Sequence, residues 1–562
     1  MQTKAHSLAR FLYNHNPFYL LSACLVLYGL HLAFAERADI PETAWLLATS
    51  LCGYTLLLAL TAYLVVRLGR VWEDARSIAL LVILMFVAIS VSFDEICNTL
   101  PATASLVLTF GLIFSLLVSE GLIRSLEIKF PVSYRVPLYL TLGLFFLYPL
   151  WVSPNLSEQT DIVTAWRVFS FPSAAGVVML TLLPAIRRGS ALMRKNGTPW
   201  QWPWYPWPVF VFLAVGICFR SYVLTLSFQA AHGLETSFST YYLTPFLFAI
   251  LVLLSEIGFV ESSRRLQRFV LASSPILLLV SVPFGHGQPF HSFLGSVVEH
   301  VGSPLWLALL GGAVFYAYLW ARGLKEAEFA CMTMLLLLVN VGPRTVDFDS
   351  VALPQGWPLV ALAAIQAVQT FLLKSSLRFV ITSCSLLAAM SCSMSTSWFT
   401  SHTGVIPLHL AVGLSMLAGF LFTDRFAQLI RWSSPFAMIL PAMIVAVGGD
   451  RIGASETHRV IYVSVLCGIS LGFWLATRER GWQLALLANT ASTAIALSIW
   501  LHTGVQHVIP PRALAALGGG IVCFLVAALI SALKGGFSKQ LRHWIDDVWR
   551  PFPPNFEEDQ SL

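Results

Sequence analysis

A chain of 562 residues that is 57% hydrophobic and only 11% charged has too little polar surface to clothe soluble domains, so the expected fold class is all-α in lipid. The formal charge of +6 is scattered over short segments between apolar runs and forms no basic face, which excludes a nucleic-acid partner. Nine cysteines without CxxC or His/Cys spacing indicate neither a disulfide framework nor a structural zinc site, and no cofactor is indicated.

From the N-terminus, Lys4 and Arg10 precede an apolar run that ends Ala33-Phe34-Ala35, a pattern resembling a small-residue cleavage site. The near-spanning length of the run and the many similar runs after it predict an uncleaved first span. Windows of the ~20 residues that a bilayer requires predict a polytopic integral membrane helix bundle of about 18 transmembrane helices in short-looped hairpins. Their cores are 17–34, 43–66, 77–93, 101–123, 136–153, 168–186, 208–228, 239–260, 269–285, 304–321, 329–342, 357–373, 379–397, 406–423, 435–449, 459–477, 482–501 and 513–533. The multi-span region therefore covers 1–533, with no separate soluble domain. In the remaining 534–562, Phe537, Leu541, Trp544, Ile545, Val548 and Trp549 recur at helical spacing and predict an interfacial amphipathic helix over 537–549.

Lysine and arginine sort strongly between alternate loops. One set holds 27 and the other only 6, with Arg220 completing the 34. The positive-inside rule then places both termini in the cytoplasm, in the cytoplasmic (inner) membrane if the source is bacterial. No residue-level similarity relates the halves of the chain, so an inverted repeat of the transporter kind stays open without support from the sequence.

Arg220 is the one basic residue inside an apolar core, and it follows a collar of Trp200, Trp202, Trp204 and Trp207 interleaved with prolines. The collar reads as an aromatic belt with stiffened entry, or alternatively as an aromatic cage for substrate. A charge in lipid marks a structural pair or a site. Glu120 and Glu256 lie near the wrong ends of their spans to reach Arg220. Asp94, Glu95, Glu235 or an anionic substrate group are better placed.

Ten of the thirteen histidines map to outer loops or outer span ends. His286/His291 and His502/His507 are expected as loop pairs with weak metal-ligating potential, because neither forms a specific motif. The Asp94-Glu95 step at a helix end offers a general base for an outer-face reaction. The runs at 329–342 and 435–449 are short and touch Pro343 and Pro441, as broken or re-entrant helices do. Asn489 lies near mid-membrane and is a second substrate-binding candidate beside Arg220. No nucleotide-binding, kinase, hydrolase or channel-filter motif is present.

These features point first to a transporter or lipid-handling carrier for a small anionic or lipid-linked substrate, more simply than to an enzyme. A membrane transferase using Asp94 or Glu95 is the alternative. A non-catalytic subunit with a membrane protein partner is a third reading.

Overall fold

The computed structural model describes residues 18–34, 40–153, 161–228, 238–282, 288–345, 354–393, 405–447 and 455–506, with scattered positions beyond. All regular structure among them is helical. Among the described residues, eleven helices are long and apolar enough to cross a membrane, and each falls on one of the expected cores. The architecture is that of a polytopic helical membrane protein. Phe18–Phe34, Trp357–Leu373, Ser376–Cys392 and Leu408–Leu421 are apolar but shorter. At 1.5 Å per residue, 17 residues reach about 26 Å, against a hydrocarbon core of about 30 Å. Most of 513–533 and all of 537–549 lie outside the described residues.

Three expectations are corrected. The run at 435–449 is neither short nor broken, because Arg425–Val447 is one 23-residue helix with Pro435 and Pro441 inside it. Helices in lipid tolerate proline where neighbours accommodate the disturbance. Here Gly481 makes room for the Pro435 ring, since a Cβ at Gly481 would lie 3.1 Å from its Cγ. The run at 269–285 is not one span but two short helices, Arg264–Ser273 and Ile276–Ser281. Pro275 cannot donate to the carbonyl of Leu271, and the Ser274 hydroxyl does so instead at 2.9 Å. Finally, Gln288–His300, expected to be a loop, is a helix. It seats Phe293, Leu294 and Val297 against Ala165, Tyr241 and Tyr242.

The chain divides into two compact units near residue 359. In the first, we number α1 (Phe18–Phe34), α2 (Pro41–Gly69), α3 (Trp72–Val91), α4 (Asp94–Thr99), α5 (Pro101–Ser125), α6 (Val132–Val152), α7 (Asp161–Leu180), α8 (Leu183–Arg188), α9 (Trp207–Ser227), α10 (Thr244–Val260), α11 (Arg264–Ser273), α12 (Ile276–Ser281), α13 (Gln288–His300), α14 (Pro304–Ala321) and α15 (Glu326–Asn340). Proline or a capping serine starts several of them. Pro41, Pro101 and Pro304 need no helical N–H at a first turn, and the Ser263 and Ser303 hydroxyls accept from Leu266 and Trp306.

The core of this unit is built around α3, with Phe86, Phe145, Phe146, Leu213 and Ile217 fully enclosed. Small residues set its spacing. A Cβ on Gly111 would stand 2.7 Å from the Phe146 ring, and one on Gly216 would stand 3.2 Å from Val87. Hydrogen bonds group the loops into two ends. At one end Asn98 donates to Ser227 O and Ser153 to Cys97 O. At the other, Arg67 pairs with Glu127, and Lys129 reaches Arg194 O. The second is called the basic end below.

The second unit contains α16 (Trp357–Leu373), α17 (Ser376–Ser393), α18 (Val405–Leu421), α19 (Arg425–Val447), α20 (Glu456–Thr477) and α21 (Arg480–Gln506). Its core joins Met416, Met438, Ala442, Val463 and Trp482, with Phe473 stacked on Trp482 at 4.6 Å. Asp424 ties α17 to α19 by accepting from the Ser376 amide (3.0 Å), the Ser376 hydroxyl (2.6 Å) and the Ala427 amide (3.1 Å). Partial burial pushes this carboxyl up, but the hydrogen bonds from Ser376 and Ala427 outweigh it and hold the group below the usual carboxylate range. A depressed folded-state value stabilises fully above the unfolded pKa of about 4 and is lost as pH falls through the folded value. Thermal unfolding followed from pH 6 to pH 3 should therefore show a steeper acid loss in the native protein than in Asp424→Ala. Equal slopes would contradict this cap.

Candidate functional site

Arg220 lies on α9, thirteen residues beyond its start, and is completely buried. Its guanidinium grips Asp94 bidentately: Nη2 donates to Oδ1 at 2.7 Å and Nη1 to Oδ2. Nη2 also faces Ser90 O at 3.3 Å and Phe145 O at 3.2 Å. The single side chain thus binds α9 to the end of α3, to the start of α4 and to α6. Asp94 is 1% exposed, so the pair is dry on both sides. Within the pair, Arg220 Nε has no hydrogen-bond partner among the described residues. Glu95, one step further round α4, is exposed, because neighbouring residues on a helix point about 100° apart. None of the cavities described below is lined by Arg220, Asp94 or Glu95.

The collar is not a simple belt. Asn196 is buried and organises it: Nδ2 donates to Trp200 O at 2.7 Å, and Oδ1 accepts from the Thr198 amide at 2.8 Å and its hydroxyl at 2.9 Å. The Lys129 amide donates to Asn196 O, Trp202 Nε1 to Tyr134 Oη at 3.2 Å, and Tyr205 Oη to Lys129 O at 3.3 Å. Burial raises the Tyr205 phenol above its ordinary value. Of the four collar tryptophans only Trp204 is largely exposed, at 70%. Gly197 takes φ +82°, where a Cβ would stand 2.6 Å from Glu127 O. Glycine lets the two backbones meet there.

Above this folded collar an apolar cavity of about 150 Å³ opens between α3, α5, α6 and α9. Ala79, Ile83, Phe86, Leu122, Phe130, Leu138 and Val209 line it, and Trp200, Trp204 and Tyr205 close one side. Arg76, exposed at its rim, lies 5.2 Å from the Trp200 ring centre, and Trp72 meets Trp200 edge-on. The volume is that of a benzene-sized apolar group. Beside it, Arg194, Lys195, Asn196 and Gln201 line a second, more polar hollow that shares Thr198 and Trp200. A greasy slot with cations at its mouth suits an amphiphile.

Sequence reasoning missed the cavity, because its wall is assembled from 72–86, 119–138 and 198–209. The local signal was Trp72 and Arg76 at i,i+4 spacing, which places both on one face of α3. It also missed two carboxylate clusters at the basic end. Glu120 accepts from Tyr139, Arg135 (3.1 Å) and Arg124 (3.2 Å). Glu256 accepts from Tyr318, Arg322 (3.0 Å) and Arg187 (3.3 Å). In each, a tyrosine and an arginine stand four residues apart, Arg135 and Tyr139 on α6 and Tyr318 on α14 with Arg322 as its C-cap, a spacing visible in the sequence.

Asn489 is buried in the second unit and donates to Ser470 Oγ at 2.8 Å, joining α21 to α20. Its Oδ1 has no partner among the described residues. His286, His507 and Glu235 lie outside the described residues. His291 belongs to α13 and His502 to α21, so neither sits in the expected loop pair. No group of three or more His, Cys, Asp or Glu side chains poised for a metal occurs among the described residues. No protein-family model, curated protein or solved structure matches the chain.

Proposed function

We propose that this polytopic membrane protein binds and moves an amphiphile with a small anionic head, taking it up at the cavity above the collar. The observation that carries this reading is the 150 Å³ apolar cavity with Arg76 at its rim. Each methylene buried there is worth about 0.8 kcal/mol, and the rim arginine supplies a charge-assisted hydrogen bond to the head. By the positive-inside rule the basic end faces the cytoplasm, as do both termini, so uptake occurs from the cytoplasmic leaflet. Arg220, an initial candidate for substrate, is better read as a pin for the core, because Asp94 already occupies its fork. The outer-face transferase has weaker support, since that same pairing leaves only Glu95 free to act as a base.

The test is movement of a fluorescent phospholipid in proteoliposomes. Ala79 lines the cavity and is only partly buried, so Ala79→Trp should fill the slot without unfolding α3. Lipid movement should fall at least tenfold while the melting curve holds. Undiminished movement with the slot filled would remove the cavity from the mechanism.

A further inference from the structure

The Glu256 cluster holds more positive than negative charge. The carboxylate is fully buried, while the two arginines on it are half-exposed, with side-chain exposures of 56% for Arg187 and 41% for Arg322. One carboxylate against two guanidinium groups leaves a net charge of +1. Each guanidinium has five N–H donors and spends one on Glu256, Arg187 Nη2 on Oε1 and Arg322 Nη2 on Oε2. Anchoring on opposite oxygens of one buried carboxylate brings the two guanidinium groups to the same point, and each side chain is still partly open to solvent. Arg322 is further fixed over the Phe259 ring at 5.2 Å.

The surroundings have the same sign. Segments 187–188, 256–268 and 322–328 contain seven basic residues against four acidic ones. Helix α11 follows directly, pinned to α10 by Gln267 Nε2 on Gly258 O at 3.1 Å. It exposes Arg264, Arg265 and Arg268 together with Phe269, which is 62% exposed. Arginines beside an exposed aromatic on a short amphipathic helix suit the headgroup layer of a membrane.

We propose that Arg187 and Arg322 form a two-pronged site for the phosphate of an anionic phospholipid, with Glu256 as the group that positions them. Bidentate arginine is the geometry that phosphate recognition uses. None of these residues lines the collar cavity, so the site stands apart from the proposed transport reading and fails or survives independently of it.

The experiment uses the full chain in neutral detergent, with added phosphatidylglycerol, phosphatidylcholine or inorganic phosphate, and reads bound lipid by native mass spectrometry and the unfolding midpoint by melting. Phosphatidylglycerol should be retained and should raise the midpoint, whereas phosphatidylcholine and inorganic phosphate should do neither. Arg187→Gln should weaken retention about tenfold, the loss of one charge-assisted hydrogen bond. Arg187→Lys should fall between, since it keeps the charge without the fork. Arg188→Gln, the same charge change on the exposed neighbour, should have little effect. Equal losses in Arg187→Gln and Arg188→Gln would reduce the effect to bulk attraction and overturn the site. Stabilisation by inorganic phosphate alone would reassign it to free anions and overturn the lipid. If Arg187→Gln does not fold, Arg187→Lys decides: retention equal to wild type overturns the proposal.

Discussion

Arg220→Ala should destabilise the first unit by about 3–5 kcal/mol, the cost of leaving one partner of a buried pair charged and alone. The stranded group is Asp94, at 1% exposure, and Ser90 O and Phe145 O lose their donor as well. Removing both charges together should behave differently. Desolvation of two ions costs several kcal/mol each, so a well-packed apolar replacement is often neutral or stabilising by about 1–4 kcal/mol. Arg220→Met combined with Asp94→Leu should therefore melt at or above the native temperature in detergent, far above Arg220→Ala. If Arg220→Ala alone melts like the native protein, the pin is not structural and Arg220 returns to the list of substrate-binding groups.

Gly197→Val should undock the collar. A non-glycine residue at φ +82° costs about 1–2 kcal/mol in the left-handed region, and the new Cβ meets backbone, Glu127 O, which cannot swing aside. The contacts at stake run through Asn196, Trp202 and Tyr205 to 129–134. With those lost, proteolysis within 189–206 should accelerate and tryptophan emission should shift red, while the apolar helices keep their circular dichroism. Gly197→Ala should show the same effect, because the strain and the clash begin at Cβ. Cleavage and emission unchanged in both variants would show that the collar does not depend on this close approach.

The helices were the legible part of this protein, because lipid demands long apolar runs and little else. Each of the eleven full-length helices lies on a run read from hydropathy. Errors came where proline or short periodicity had to be interpreted. Pro441 read as a break, yet α19 passes through it because the fold accommodates both prolines. At Ser274-Pro275, a real break inside an apolar run went unread. Helix α13 was hidden because Phe293, Leu294 and Val297 mark only one face of a polar-looking stretch.

The site was legible in fragments. Arg220 stood out as a charge in an apolar helix, and Asp94 was among the carboxylates at its level. Direction along the helices was enough to reject Glu120 and Glu256 as its partners. It was not enough to give them partners of their own, since Arg187 and Arg322 reach Glu256 across 69 and 66 residues. Nor could the cavity be seen, because a void belongs to packing and no residue encodes it. The tryptophan collar was noticed for its composition, but its meaning depended on Asn196 and Gly197, neither conspicuous in the sequence.

In the proposed mechanism the amphiphile uses the collar cavity, while Arg220 and Asp94 only hold the core together. One measurement separates these roles: lipid movement in proteoliposomes by Ala79→Trp beside the Arg220→Met/Asp94→Leu pair, each checked for an intact melting curve. Under this mechanism the filled cavity abolishes movement and the apolar pair preserves it. Movement preserved with the cavity filled and lost with the apolar pair would contradict it.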